Sequence, residues 1–64
     1  MATTWDPKAL VAAMEPLSLR AVALRLHVDP AVLCRPLSDR QADRFALALG
    51  MHPVEVWVDY GAEL

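Results

Sequence analysis

The sequence predicts an all-α fold: a single domain over residues 1–64, a compact bundle of about five short helices containing a helix-turn-helix. Three observations predict it. Apolar residues recur at helical spacing, with Leu19, Val22, Ala23 and Leu26 at i, i+3, i+4 and i+7. Capping residues and prolines stand where helices would begin, at Asp6-Pro7, Ser18, Asp29-Pro30 and Ser38. No stretch sustains the apolar–polar alternation of a half-buried strand.

Each element follows from its local signals. Residues 1–5 show no period and are expected to fray, with Trp5 free to pack on the body. Asp6 caps a first helix over residues 8–14, with Leu10, Val11 and Met14 inward, and Glu15-Pro16 closes it. Leu17 docks beside Ser18, the cap of the second helix. His27-Val28-Asp29 breaks the period of that helix. Asp29 caps a third helix over residues 30–35, stopped by Pro36, because proline disfavours the helical conformation of the residue before it. Ala23 is small enough for the second and third helices to cross closely, while Val28 and Leu33 plug the space between them. Two short helices across so tight a turn form a helix-turn-helix unit. Ser38-Asp39-Arg40-Gln41 is a capping box opening a fourth helix, with Ala42, Phe45, Ala46 and Leu49 on one face. Gly50 is free to turn left-handed at its end, with Met51 as the accompanying apolar contact. His52 caps a last short helix at Pro53, and Trp57 is its lid on the core. Residues 59–64 trail off.

The residues Ala23, Leu26, Val28, Asp29, Val32, Leu33 and Arg35 fit the pattern A-x-x-L-x-V-[SD]-x-x-[TV]-[VL]-x-R. In this the chain resembles the lambda-repressor-like helix-turn-helix family. The following segment, DRQADRFALALGMHPVEVW, looks like small helix-turn-helix proteins of actinobacteria and their phages. The resemblance covers residues 18–57. His27 stands where such turns usually hold glycine, and Pro36 where the reading helix often continues with an aromatic residue. The resemblance implies a small DNA-binding regulator of transcription or of a phage or mobile element.

Composition bounds the function. One cysteine allows neither an internal disulfide nor a four-cysteine zinc site. The apolar fraction, 56%, is more than so small a chain can hide, which favours self-association or a partner interface. No apolar run approaches the roughly 20 residues that span a bilayer. No signal-peptide pattern opens the chain, so the expected location is the cytoplasm. The formal charge of −2 argues against a strong nucleic-acid binder, but its distribution softens that objection. All five arginines lie within residues 20–44, facing only Asp29, Asp39 and Asp43; the flanks are acidic.

The candidate DNA-binding residues are Arg20, Arg35, Ser38, Arg40 and Arg44. Arg35 can reach a guanine edge or a phosphate from the third helix; alternatively it is a surface arginine paired with Asp39. Arg20 lies where such folds touch phosphate. Arg40 sits in the first turn of the fourth helix, whose free N–H groups also suit an anion. Arg40 and Arg44 read equally as solvated side chains countered by Asp39 and Asp43. Ser38 is a cap, with phosphate contact as a second reading. Ala31, Val32 and Cys34 leave the third helix short of hydrogen-bonding groups, so the same face reads as a protein-binding surface. Cys34 reads as a small packing residue. His27, His52 and Cys34 lack metal-ligand spacing, so neither metal nor cofactor is expected. No nucleophile stands beside a recognisable base, no Gly-rich phosphate loop appears, and so small a chain is expected to lack a recess of about 300–1,000 Å³. A non-enzyme is therefore expected, with duplex DNA as partner and a homo-oligomer as the working form. The alternative is a protein–protein or self-assembling module that keeps the fold without binding DNA.

Overall fold

The computed structural model describes residues 4–60. The fraying expected of residues 1–3 and the trailing of residues 61–64 lie outside the described residues. The structure is an all-α bundle of four short α-helices with one 3₁₀ helix inserted among them. These are α1 (Pro7–Ala13), α2 (Leu19–Leu26), the 3₁₀ helix (Pro30–Cys34), α3 (Asp39–Ala48) and α4 (Pro53–Val56). Among the described residues there is no sheet, only an isolated antiparallel bridge between Trp5 and Leu37. None of the described helices is long and apolar enough to cross a membrane.

The predicted caps form. The Asp6 carboxylate accepts from the Lys8 N–H at 2.9 Å, and the Asp29 carboxylate from the Ala31 N–H at 2.9 Å. Ser18 Oγ accepts from the Ala21 N–H at 3.1 Å. At α3 the box is complete: Ser38 Oγ accepts from the Gln41 N–H at 3.2 Å, and Gln41 Oε1 accepts from the Ser38 N–H at 3.1 Å. Each bond satisfies a donor that the first helical turn leaves without a partner. The start of α4 differs from expectation. The His52 side chain makes no capping bond there, and Glu55 instead accepts from the His52 N–H at 3.4 Å.

Two helix ends share one geometry. At the end of α3 the Gly50 N–H donates to Leu47 O at 3.0 Å and the Met51 N–H to Ala46 O at 2.9 Å. At the end of α2 the His27 N–H donates to Leu24 O at 3.2 Å and the Val28 N–H to Ala23 O at 3.1 Å. This pair of bonds is the Schellman motif, which needs a left-handed residue at its corner. Gly50 has φ +81°, and His27 has φ +60° and ψ +39°. His27 therefore holds the backbone that glycine adopts without strain.

The third element corrects the sequence reading. It is a five-residue 3₁₀ helix, and it ends at Cys34 instead of running to Pro36. Arg35, expected on the helix, has φ −123° and ψ 153°, extended backbone. The cause is Pro36, whose ring excludes the α conformation from the residue before it. The segment closes tight i→i+3 turns, beginning with the Val32 N–H donating to Asp29 O at 2.9 Å.

The core is built from the expected helical faces. Val22 and Ala23 of α2, Leu10 of α1, and Ala42 and Ala46 of α3 are fully buried, and Leu33 is nearly so. Ala23 and Leu33 occupy the crossing as predicted, with Val28 half-buried against them. Leu37, to which the sequence reading gave no role, is also fully buried. Trp57 covers the core, and its indole N–H donates to Asp6 O at 2.9 Å.

Trp5 is pinned. Its N–H donates to Leu37 O and its carbonyl accepts from the Leu37 N–H, both at 2.8 Å. Its indole N–H donates to Asp39 Oδ1 at 2.7 Å. Its ring centroid lies 6.0 Å from that of Trp57 and 5.0 Å from that of Tyr60.

The twin helix ends predict opposite outcomes for exchanging the corner residue. His27→Gly removes left-handed strain and should stabilise the fold by about 1 kcal/mol. Gly50→Ala introduces that strain and should destabilise by about 1 kcal/mol. A Cβ at Gly50 meets nothing within 4 Å, so the cost there is purely backbone. Calorimetry should show midpoints displaced in opposite directions, by about 4–8 °C each. A lowered midpoint for His27→Gly would overturn the assignment.

Candidate nucleic-acid interface

Arg20 is the second residue of α2, Arg35 follows the 3₁₀ helix, Arg40 is the second residue of α3, and Arg44 lies one turn further along α3; all four are exposed. The inward face of α3 carries Ala42, Phe45 and Ala46. Arg40 and Arg44, at i and i+4, therefore share the opposite, solvent face. Ser38 is exposed, with its oxygen committed to the α3 cap. Ala31 and Cys34 are exposed, while Val32 is half-buried and packs against the core. An interface on the 3₁₀ helix would thus use Ala31 and Cys34 more than Val32.

Two of the carboxylates set against these arginines in the sequence are engaged elsewhere. Asp39 accepts from the Trp5 indole, and Asp29 caps the 3₁₀ helix. Among the described residues no arginine lies within 4.0 Å of a carboxylate oxygen, and no arginine side chain donates a hydrogen bond within the protein. The predicted pairing of Arg35 or Arg40 with Asp39, and of Arg44 with Asp43, does not form.

The fold also adds a cation that the sequence reading had set among the acidic flanks. A groove of about 470 Å³ runs between the start of α1 and the 3₁₀ helix, with Lys8 on one side and Arg35 on the other. Leu19, the residue before Arg20, also lines it, so the start of α2 meets the same groove. Lys8 comes to the same groove as Arg35 where the Trp5–Leu37 bridge folds the N-terminal segment back onto residues 35–37. No local pattern announces that. The groove also corrects the size expectation, since it falls within the usual range of ligand-binding recesses, about 300–1,000 Å³.

Beyond Asp39 the aromatic cluster ends at Tyr60, whose hydroxyl donates to Asp39 O at a long 3.4 Å. Partial burial, then the negative charges of Asp43 and Asp39, raise its phenol above the ordinary value. In comparisons with protein-family models, curated proteins and solved structures, the chain matches none.

The raised phenol has a signed consequence. The fold favours neutral Tyr60, so its contribution to stability is complete below the unfolded phenol's pKa, about 10, and is lost as pH rises above it. Urea midpoints measured from about pH 9 to about pH 11 should fall more steeply for the parent than for Tyr60→Phe. Parallel profiles would count against the assignment.

Proposed function

We propose that this chain is a small helix-turn-helix DNA-binding regulator that acts as an oligomer in the cytoplasm, and is not an enzyme. The observation that carries the reading is the set of exposed cations without ion-pair partners among the described residues, Arg20, Arg35, Arg40 and Arg44, set around a tight α2–3₁₀ corner. The corner closed by Ala23, Val28 and Leu33 supports a helix-turn-helix, with the 3₁₀ helix in the reading position. Arg35 faces the major groove, Arg20, Arg40 and Arg44 hold the backbone, and Lys8 joins them. Ser38 stays a cap. Because the reading element offers so few polar groups, affinity comes mainly from phosphate contacts. A second copy doubles those contacts and reads a second half-site.

Mobility shift with a duplex of about 30 base pairs tests this. A complex should form at micromolar protein in about 50 mM salt and weaken steeply toward about 200 mM. Arg20→Ala, Arg35→Ala and Arg40→Ala should each weaken binding and lower the slope of log affinity against log salt by about one. Arg25→Ala, at the opposite end of α2, should leave both unchanged. Absence of a complex at low salt would sink the reading.

A second reading, an assembly module without DNA, is favoured by one observation. Leu24, Leu47, Val54 and Val58 are large, apolar and exposed, Val58 at 87%. If they form an interface, Val58→Glu and Leu24→Glu should lower the mass found by light scattering without changing the helical circular-dichroism signal. A monomer in the parent protein would exclude it.

A further inference from the structure

We propose that the groove between the start of α1 and the 3₁₀ helix binds a small amphipathic anion, a flat apolar body bearing one carboxylate. The inference is independent of DNA binding. Its first support is shape. The groove measures about 470 Å³, too little for a folded partner and enough for a compact ring system. Its floor is apolar and fixed. Trp5 and Leu33 line it and are buried, and Trp5 is held by its two main-chain bonds to Leu37 and its indole bond to Asp39. Pro7 and Pro36, stiff residues, line it as well. Such a floor is formed before any ligand arrives, so binding orders little.

The second support is charge. Lys8 and Arg35 line the groove and are exposed. One carboxylate lines it with them, Asp6, whose Oδ1 already accepts from the Lys8 N–H as the cap of α1. The remaining balance is one positive charge above an apolar floor. That balance selects a monoanion with apolar bulk over both a neutral apolar molecule and a bare phosphate, which would leave the floor wet. Thr4 adds a hydroxyl that can donate to a carboxylate oxygen.

The site contains its own reporter. Cys34 lines the groove, is exposed, and is the single cysteine of the chain. Occupancy should therefore slow its modification. The experiment measures the rate at which the neutral reagent 4,4′-dithiodipyridine labels Cys34 in the intact chain without DNA. Naphthalene-2-carboxylate should slow labelling severalfold and saturably, and naphthalene-2-carboxamide should not. The double variant Lys8→Gln/Arg35→Gln should abolish protection, while Arg25→Gln should retain it. Unchanged labelling at about 1 mM carboxylate overturns the proposal. So does equal protection by the amide, or protection that survives in the double variant. Failure of the DNA assay would leave these outcomes unaffected.

Discussion

The anchoring of Trp5 governs this fold. A chain of this size builds a core worth only about 3–5 kcal/mol. Truncating a buried tryptophan costs about as much, 3–5 kcal/mol. Trp5 is 7% exposed and unites elements far apart in sequence, with its backbone on Leu37, its indole on Asp39, and its ring against Trp57 and Tyr60. From the other side the Trp57 indole holds the Asp6 carbonyl, so both ends of the described chain close on one aromatic cluster. The same anchoring shapes the candidate surface. It helps to set the start of α1 beside the 3₁₀ helix, where Lys8 and Arg35 line one groove.

What the sequence made readable was local. Ser18, Asp29 and Ser38 with Gln41 announce helix starts through bonds that span two or three residues, and each bond forms. Gly50 announced its corner for the same reason. The bundle class, the crossing at Ala23 and Leu33, and Trp57 as a lid followed from periodicity. The failures have one physical cause: they were decided by long-range packing or by competition between neighbours. Trp5 and Leu37 lie 32 residues apart, and no period links them. His52 was expected to cap the last helix, but its side chain makes no capping bond, and what forms there is the reverse contact, Glu55 accepting from the His52 N–H. Arg35 was assigned to a helix although Pro36 follows it, and the restriction proline places on its predecessor prevailed over the apolar pattern.

The candidate site was readable as a set of arginines but not as a surface. Formal charge suggested that acids would neutralise them, and the structure explains why they do not. A carboxylate near a helix start gains more from a fixed backbone donor than from a mobile guanidinium, because an exposed ion pair yields about 0.2–1 kcal/mol and orders two long side chains. Asp6, Asp29 and Glu55 accept backbone N–H groups, and Asp39 takes the indole of Trp5. Counting charges over the chain therefore understates the cationic character of the surface that Arg35 shares with Lys8, and of the α3 face that carries Arg40 and Arg44.

The shortness of the 3₁₀ helix then bears on what such a face can discriminate. Its outward groups are the Ala31 methyl and the Cys34 thiol, with Arg35 just beyond on extended backbone. Of these only the guanidinium offers directional donors to a base edge, and a good bidentate contact discriminates by about 1–3 kcal/mol. Specific and non-specific DNA binding differ by about 4–10 kcal/mol in working regulators. One copy of a face with a single such donor falls short of that range, and phosphate contacts do not make up the difference, because they raise affinity for all sequences alike. A DNA-binding role for this geometry therefore requires more than one copy at a fixed spacing. The exposed Leu24, Leu47, Val54 and Val58 supply apolar surface from which such an assembly can be built.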